Sequence, residues 1–428
     1  MTIRMHTVSK LYSKTNMSDR ADVIVVGGGI VGMSCAYYLQ QAGRKVSIVD
    51  RGRYAEAAST GNAGLIVPSH IIPLSAPGVI AKGMKWLMNP ESPLYIKPSA
   101  NPHFMKWLWL FQKHCSEAHV QKSIPVLKDM SLLSRDLLSE MCSLPGFEKT
   151  SLVHNGLLML HRSESAQKDN EELADIAEAA GLEIERLDHA QTLNLEPALK
   201  SEITGSVYFK QDASLEPEQL LRALEIELRS QGVSFIDAEV TGFKTNRGAV
   251  TSVTTKTASL ECDTVVLAAG SWTPILGRKL GHSISVQPAK GYSVTIPVDS
   301  PSLRIPCIAT DEKVSITPMP GCIRFGGTLA LQGFDDSIDE RRVAPIRRQA
   351  GLYCSDMDDI PTWSGFRPAS PDGIPFIGAL PTSANTFMAT GHGMMGVTLG
   401  PVTGKLITEL IVGDTPSLKT HPFRTDRH

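Results

Sequence analysis

The chain has 428 residues, of which 42% are hydrophobic and 20% are charged, and its formal net charge is −2. The length, about two to three times that of a typical domain, predicts two domains. The near-neutral charge, without a basic stripe, excludes a nucleic-acid partner, and no apolar run is long enough to span a bilayer. The seven cysteines are scattered without a C-x-x-C pair, which favours reduced thiols in the cytoplasm over disulfides or a metal site.

The first twenty residues are rich in Ser and Thr and carry four basic side chains against one acid, Asp19. They resemble a basic presequence but lack the apolar region of a secretory signal. The alternative, which we favour, is an over-long start with Met17 as the initiator. On either interpretation the segment lies outside the fold.

Residues 21–50 have the pattern of strand, glycine turn, helix and strand. Residues 23–26 form a β-branched apolar run, as a strand buried on both faces requires. The turn that follows carries the G-x-G-x-x-G frame in which a backbone approaches a pyrophosphate at a helix N-terminus. Asp50 ends the second strand, where a carboxylate accepts hydrogen bonds from ribose hydroxyls. The unit predicts dinucleotide binding and leaves NAD, NADP and FAD open; its glycines are Gly27, Gly29 and Gly32.

The middle of the chain predicts a second domain. Residues 55–102 show little periodicity, and residues 104–133 have the pattern of a helix that opens with the aromatic cluster FMKWLWLF. Trp107 and Trp109 in this cluster are either a patch that rests on a membrane or partner, or core anchors of the second domain. Residues 286–334 alternate as strands, which indicates an antiparallel sheet in that domain.

Three later segments bear on the site. Residues 264–268 form a strand that runs into Ala-Ala-Gly, so the nucleotide-binding sheet is completed after a long excursion. Residues 363–378 are dense in Gly and Pro, which predicts a rigid loop around Arg367. A guanidinium fork matches a carboxylate; the alternative is a structural ion pair with Asp372. Residues 391–411 are a glycine-rich turn leading into an apolar helix, whose positive N-terminal end suits a reduced flavin.

These motifs, in this order, resemble the FAD-dependent D-amino-acid oxidase superfamily, and within it the bacterial D-amino-acid dehydrogenase branch, including D-hydroxyproline dehydrogenases. The carriers are VVGGGIVG, the SxGNAG loop, APGVIAKGMKW, AAGSW, PAKGYSV, FGGTLALQGF and WSGFRPASPDGIPFIG. The resemblance covers nearly all of the chain from residue 21 to residue 411.

The resemblance implies an α/β fold: a Rossmann-like FAD-binding domain and a discontinuous α+β substrate domain built on an antiparallel sheet. It divides the chain into FAD-binding segments 21–70, 205–285 and 360–415, substrate-binding segments 71–204 and 286–359, and tails 1–20 and 416–428. Arg367 and Tyr292 are expected to hold the substrate carboxylate, with the alternative that Tyr292 is an ordinary aromatic residue of a strand. His392 is either a contact of flavin or substrate or a buried structural histidine. The expected FAD contacts are Gly27, Gly29, Ile30, Val31, Gly32, Asp50, Arg51, Ser59, Asn62, Ala63, Gly64, Val240, Ala269, Gly270, Gly391, Gly393, Met395 and Gly396.

The implied activity is oxidative deamination of a D-amino acid by hydride transfer to flavin. The product is a 2-oxo acid and ammonia, or a pyrroline carboxylate from D-proline or 4-hydroxy-D-proline. Gly365 stands where related enzymes carry a flavin-tethering cysteine, so FAD is expected to be non-covalent. The branch implies a quinone or another electron acceptor and peripheral contact with the inner face of the plasma membrane. The alternatives are a glycine or sarcosine oxidase and a non-catalytic flavoprotein subunit of an electron-transfer complex.

Overall fold

The computed structural model of the protein describes residues 20–52, 58–79, 91–298 and 303–428. Most of the predicted N-terminal segment therefore lies outside the described residues. The strands are β1 (Ala21–Val26), β2 (Val46–Asp50), β3 (Leu65–Ile66), β4 (Leu94–Ile96), β5 (Leu157–His161), β6 (Ile184–Asp188), β7 (Gly205–Phe209), β8 (Ala213–Ser214), β9 (Ser234–Asp237), β10 (Val240–Asn246), β11 (Ala249–Thr255), β12 (Ser259–Leu267), β13 (Gln287–Pro297), β14 (Cys307–Ala309), β15 (Val314–Met319), β16 (Cys322–Leu331), β17 (Thr362–Ala369), β18 (Phe376–Ala379) and β19 (Thr386–Thr390). The helices are α1 (Ile30–Gln41), α2 (Pro102–His114), α3 (Glu117–Cys142), α4 (Glu164–Ala179), α5 (His189–Leu195), α6 (Pro217–Ser230), α7 (Thr273–Lys279), α8 (Glu340–Gly351) and α9 (Gly396–Val412).

The first sheet has the strand order β10-β11-β12-β1-β2-β9. Strands β12, β1, β2 and β9 run parallel, and Val25 of β1 pairs with Ile48 on one side and Val266 on the other. The last residues of β12 also pair with β19, again in parallel. Because the carboxyl ends of parallel strands meet at one edge, the turns after β1, β2 and β12 lie together. The predicted Rossmann-like sheet is confirmed, including its completion by the strand before Ala-Ala-Gly.

Helix α1 is sandwiched between this sheet and the C-terminal helix α9. A Cβ atom on Gly404 of α9 would stand 2.4 Å from the carbonyl oxygen of Ser34 in α1, so the two helices approach backbone to backbone. Helix α3 contributes Met130, Leu138 and Met141 to the same apolar core. The predicted substrate-binding segment 71–204 therefore supplies one helix to the core of the nucleotide-binding half.

The second sheet has the order β17-β13-β16-β15-β14-β5-β7-β6, with β4 beside β16. Its pairs are antiparallel except for β14 with β5 and β16 with β4. Helix α8 packs on one face, where Val343 and Ile346 join Val294 and Phe325 in an apolar core. The predicted antiparallel sheet is thus confirmed.

Two of the predicted FAD-binding segments begin with a strand that belongs to the second sheet. Residues 205–209 and 362–369 were assigned to the FAD-binding domain, but as β7 and β17 they pair within the second sheet. Residues 363–378 were also predicted to be a loop, whereas residues 362–369 form a strand across the whole length of β13 residues 287–294. Strand β17 is the terminal strand of this sheet, and an edge strand tolerates a proline because one of its sides is unpaired.

Two further predictions on secondary structure and tails are corrected. The predicted helix over residues 104–133 is two helices, α2 and α3, because the Ser116 hydroxyl caps a new helix by accepting the backbone N–H of His119. The predicted tail 416–428 is packed on the protein: Phe423 is 1% exposed, and the Arg427 guanidinium donates to Asp372.

The two tryptophans of α2 have different environments. Trp107 is 1% exposed, and its indole N–H donates to the carbonyl oxygen of Ala369 at 2.9 Å. Trp109 is 60% exposed. One tryptophan is therefore a core anchor, as one of the two interpretations predicted, and the other belongs to the surface.

Over the described ranges, no helix combines the length and the apolar character needed to cross a bilayer.

Candidate functional site

The glycine turn between β1 and α1 forms one end of a large cavity. Gly27 has φ +113°, and a Cβ atom there would stand 2.4 Å from the carbonyl oxygen of Ala268. A Cβ atom on Gly32 would stand 1.9 Å from the Gly27 carbonyl oxygen, so this glycine lets α1 pack against the turn. The Gly28 N–H donates to Asp50 Oδ2 at 2.8 Å. The backbone therefore presents an anion-binding helix N-terminus beside a carboxylate, as a dinucleotide requires.

A second segment, the cofactor loop (residues 58–64), lies against the same helix N-terminus. Ser59 Oγ accepts a hydrogen bond from the Ile30 N–H at 3.2 Å, and the Asn62 side chain spans from Gly64 N–H to the carbonyl oxygen of Met394. Gly64 has φ +74°, and a Cβ atom there would stand 2.2 Å from a backbone carbonyl oxygen. The loop is thereby held between α1 and the C-terminal turn.

Arg324 in β16 anchors the cofactor loop from the second sheet. It is 9% exposed, and its Nη1 donates to the carbonyl oxygens of Thr60 and Asn62, both at 2.8 Å. Burial lowers the pKa of its guanidinium. Sequence reasoning missed this residue because its partners lie more than two hundred positions away in the chain.

The C-terminal turn closes the cavity beside the cofactor loop. Gly391 and Gly393 have φ +83° and +53°, and the Gly393 N–H donates to the carbonyl oxygen of Pro368 at 2.8 Å. Helix α9 begins at Gly396, so its N-terminal amides point towards the cavity.

His392 lies within this turn, and its ring is 5% exposed. Its Nε2 lies 2.9 Å from the Thr403 hydroxyl oxygen, and burial lowers its pKa to about 3. The imidazole is therefore neutral near pH 7 and is bonded to α9. This geometry agrees with the structural alternative, while the residue also lines the cavity.

Arg367 in β17 brings a cation to the cavity from the second sheet. Its Nη1 donates to the carbonyl oxygen of Thr328 at 2.6 Å. A Cβ atom on Gly291, in the neighbouring strand β13, would stand 2.1 Å from Arg367 Cζ, so only glycine leaves room for the guanidinium. Burial lowers the pKa of Arg367 to about 10, which leaves it charged at neutral pH. Asp372, the alternative partner, instead pairs with Arg427 and His428.

Thr328 has an unusual backbone conformation for a β-branched residue. Its φ is +61°, in the left-handed region that such residues avoid. The conformation directs its carbonyl oxygen to Arg367, while its hydroxyl donates to the carbonyl oxygen of Arg342 at 3.1 Å. Backbone strain of this kind is concentrated at functional sites, where surrounding contacts enforce it.

Tyr292 lines the same cavity as Arg367, but the strand pairing directs the two side chains to opposite faces of the second sheet, contrary to the predicted carboxylate clamp. Arg367 pairs across the strands with Ala289, three residues before Tyr292 in β13, so their side chains point to opposite faces of the sheet. Tyr292 is 1% exposed and packs in the apolar core under α8, and burial raises the pKa of its hydroxyl. Of the two residues predicted to bind the substrate carboxylate, Arg367 is therefore the one whose charged group the site offers.

The cavity has a volume of about 1670 Å³, larger than the few hundred to 1,000 Å³ of common small-ligand pockets. It runs from the glycine turn to the second sheet, so one space can hold a dinucleotide and a small substrate. The predicted residues that line it are Gly27, Gly29, Ile30, Val31, Asp50, Arg51, Ser59, Asn62, Ala63, Val240, Ala269, Gly270, Tyr292, Arg367, His392, Gly393, Met395 and Gly396. Gly32, Gly64 and Gly391 shape the backbone from behind the lining.

Aromatic residues that were not predicted complete the wall. The Arg51 guanidinium lies 4.0 Å from the ring centroid of Trp272, which stacks on Phe334 at 5.0 Å. Trp363 covers Gly61 of the cofactor loop so closely that a Cβ atom there would stand 2.1 Å from the indole. The signal for Trp272 was present in AAGSW, whereas the contact of Trp363 with the loop depends on tertiary structure.

Among the described residues, no group of three or more His, Cys, Asp or Glu is arranged to hold a metal ion.

Together, the parallel sheet, the glycine turn and the second antiparallel sheet define a two-part dinucleotide-dependent oxidoreductase. The comparisons specify the class: residues 22–410 match the family described as FAD dependent oxidoreductase, and the chain belongs to that family. Its cofactor is accordingly FAD.

Relatives and solved structures agree with this assignment. The chain is 33% identical over 401 residues to a D-amino acid dehydrogenase of Vibrio vulnificus, covering 91% of this chain and 96% of that protein. It is 34% identical over 408 residues to a D-amino acid dehydrogenase of Methylobacterium nodulans, covering 92% and 96%. The crystal structure of glycine oxidase from Geobacillus kaustophilus is similar with a TM-score of 0.76 at 25% identity, covering 96% and 99%.

Proposed function

We propose that the protein is an FAD-dependent dehydrogenase that oxidises a D-amino acid to an imino acid. The observation that carries the proposal is the Arg367 guanidinium, which faces the same cavity as the glycine turn after β1. A buried cation suits the carboxylate that every amino acid carries. The relatives named D-amino acid dehydrogenase, above 30% identity over most of the chain, support the D-configuration of the substrate.

The residues at the carboxyl edge of the first sheet fit FAD. In the proposal, the N-terminal end of α1 beside Gly29 and Val31 faces the pyrophosphate, Asp50 accepts ribose hydroxyls, and Val240 contacts the adenine side. The cofactor loop and the N-terminal amides of α9 hold the flavin end, where a helix N-terminus stabilises negative charge. When bound there, FAD would supply the oxidant for removal of a hydride from the substrate α-carbon. No cysteine is among the described cavity-lining residues, and Gly365 lines the wall, which supports non-covalent binding.

The protein's own contribution is orientation. Arg367 holds the carboxylate while Thr328 holds Arg367, so the position of the α-carbon is set by three neighbouring strands. Leu74 and Val79 pack with Ala289 and Ala369 near the base of the guanidinium, which gives this end of the cavity an apolar wall. Fixed orientation in a site that excludes water accounts for a large part of the rate enhancement of such reactions. No described residue is required as a general base.

The absorbance spectrum and anaerobic reduction of the purified holoenzyme test this function. We expect a flavin spectrum that is bleached by at least one of D-alanine, D-proline and 4-hydroxy-D-proline, with the matching L-enantiomers as controls. Precipitation with acid should release the flavin into the supernatant if it is non-covalent. A flavin that none of the amino acids bleaches would refute the activity and favour a non-catalytic flavoprotein subunit.

Glycine or sarcosine oxidation is a second candidate, supported by the similarity to glycine oxidase. Adding glycine and sarcosine to the same panel separates the two. Re-oxidation of the reduced enzyme by air or by a soluble quinone, followed in a stopped-flow instrument, then distinguishes an oxidase from a quinone-linked dehydrogenase. We expect the quinone to react faster, because the relatives are named dehydrogenases.

The exposed face of α2 supports peripheral contact with an anionic bilayer, where a quinone would be dissolved. Met105 is 50% and Trp109 60% exposed, and the ammonium group of Lys113 lies 5.5 Å from the Trp109 ring centroid. Tryptophan and lysine are typical of helices at a membrane interface. We expect Trp109→Gln to reduce co-sedimentation with phosphatidylglycerol vesicles, whereas Ile226→Gln, at a site that is 70% exposed on α6, should leave it unchanged. Equal binding of both variants would refute this surface.

A further inference from the structure

His70 brings an imidazole to the cavity from the segment that follows β3. The ring is half-buried, lines the cavity, and its Nδ1 lies 3.3 Å from Ser69 Oγ. Its Nε2 makes no hydrogen bond with any residue that the structure describes. The other imidazole in the lining, His392, uses Nε2 for its contact with Thr403. His70 is therefore the lining histidine whose Nε2 is available to a ligand.

A buried hydrogen-bond chain behind His70 determines which nitrogen carries the proton. Asp212 is 1% exposed, and its carboxylate receives both the Ser69 N–H, at 3.0 Å on Oδ1, and the Ser69 hydroxyl, at 2.5 Å on Oδ2. Burial raises the pKa of Asp212 to about 7, so at pH 8.5 the carboxylate is ionised and accepts the single hydroxyl proton of Ser69, which leaves Ser69 Oγ as an acceptor. It then accepts the Nδ1–H of His70, and Nε2 carries a lone pair.

The charge of His70 is compatible with this role. Burial lowers its pKa to about 4, so the ring is neutral near pH 7 and keeps the lone pair on Nε2. Carboxylates in the described lining are occupied or exposed in other places. Asp50 receives the Gly28 N–H, and Asp169 pairs with Lys313 at 3.7 Å. The other three are exposed: Asp237 at the end of β9, Glu239, which pairs with Lys256, and Asp336 on the loop after β16.

We propose that His70 Nε2 accepts a hydrogen bond from the amino group of the bound amino acid, while Ser69 and Asp212 hold the imidazole in the tautomer that can do so. The inference rests on the proposed function and deepens it. An amino acid has two polar groups at its α-carbon, and Arg367 and His70 give the cavity one donor site and one acceptor site for them. A substrate bound the other way round would place its carboxylate against a lone pair and its amine against a cation. The pair therefore sets the orientation in which the α-carbon is presented.

The test compares amino acids with carboxylic acids that have the same skeleton but lack nitrogen. D-Alanine is paired with propionate and D-proline with cyclopentanecarboxylate. All measurements are made at pH 8.5, where Asp212 is ionised. Dissociation constants come from the concentration dependence of anaerobic flavin reduction for the amino acids and from the perturbation of the flavin spectrum for the acids. His70→Leu removes the acceptor, and His70→Gln restores an acceptor oxygen. Asp212→Asn reverses the direction of the hydrogen bonds behind the imidazole. The amide of Asn would donate to Ser69 Oγ, and the Ser69 hydroxyl would then donate to His70 Nδ1.

We expect His70→Leu and Asp212→Asn to weaken the amino acids about tenfold, the usual effect of losing one hydrogen bond. Binding of the nitrogen-free acids should stay within about twofold of the wild type, because that bond is absent for them. His70→Gln should recover part of the loss. FAD content and the thermal unfolding midpoint, measured on every variant, report whether the fold is retained.

Three outcomes overturn the inference. Equal weakening of amino acids and nitrogen-free acids by His70→Leu would show that the ring acts by shape alone. An Asp212→Asn holoenzyme that binds and oxidises amino acids like the wild type would show that the tautomer does not matter. A wild-type holoenzyme that no amino acid reduces would refute the proposed function and this inference together, whereas the first two outcomes refute the inference alone.

Discussion

Replacement of Arg367 by alanine is the sharpest test of how this site binds its substrate. Nη1 of Arg367 is engaged with the Thr328 carbonyl oxygen, which leaves Nε and Nη2 for a substrate carboxylate. Two charge-assisted hydrogen bonds of about 1.5–3 kcal/mol each would be lost, a total of roughly 3–6 kcal/mol. At about 1.4 kcal/mol per factor of ten, KM should rise about 10²-fold or more. Arg367→Lys should recover only part of this, since an ammonium keeps the charge but lacks the fork.

The assay for Arg367→Ala separates substrate binding from cofactor binding. FAD content is measured by absorbance, and kcat and KM are determined on the fraction that retains the flavin. We expect full FAD content and a raised KM, because the cofactor contacts lie on other elements. Arg341→Ala, on the exposed start of α8, is the matched control and should behave like the wild type. Loss of FAD with an unchanged KM in the remaining holoenzyme would refute the assigned role.

Three further predictions address the support of the site. Gly291→Ala should raise KM towards the value of the Arg367→Ala variant with FAD retained, because its Cβ atom would stand 2.1 Å from Cζ of that arginine; Gly242→Ala, with no atom within 4 Å, is the control in steady-state kinetics. Arg324→Met should weaken FAD binding at least about tenfold in a fluorescence titration, since the cofactor loop loses two hydrogen bonds to a charged donor. Burial raises the pKa of Asp212 from 3.8 to about 7, so its contribution to stability is complete below about pH 4 and is lost as the pH rises through 7. Relative to Asp212→Asn, the wild type should therefore lose about 2.6 kcal/mol of unfolding free energy between pH 5 and pH 8 in urea titrations, and a constant difference would contradict the raised pKa.

The part of the site that could be predicted from the sequence is the part made by residues close together in the chain. The turn after β1 is such a case: Gly27 and Asp50 belong to one βαβ unit, and the structure joins them through the Gly28 N–H. The glycine requirement is local because the turn itself demands the positive φ. Arg367 was predicted from the family resemblance and from its place in a segment rich in Gly and Pro, and the structure places it in the lining of the cavity.

What escaped prediction depends on strand register between distant segments. Tyr292 lies near Arg367 in the strand pairing, but only the register of β13 against β17 shows that the two side chains point to opposite faces. Arg324 has no local signal either, because its partners are carbonyl groups that any loop possesses. The same reason explains why residues 362–369 were expected to be a loop: their strand character comes from β13, about seventy positions earlier.

Strand β16 connects the two halves of the site. Arg324 holds the cofactor loop, and Thr328, four residues further along the same strand, holds Arg367. At about 3.4 Å per residue, four residues of strand separate the two attachment points by roughly 13 Å. Strand β16 is paired on both sides, by β13 and β15, from Cys322 to Gly326, and Thr328 lies just beyond, where the pairing with β13 shifts register. Loss of orientation by as little as an ångström is costly in reactions of this type. The second sheet therefore does more than line the cavity, since one of its strands connects Arg367 to the cofactor loop.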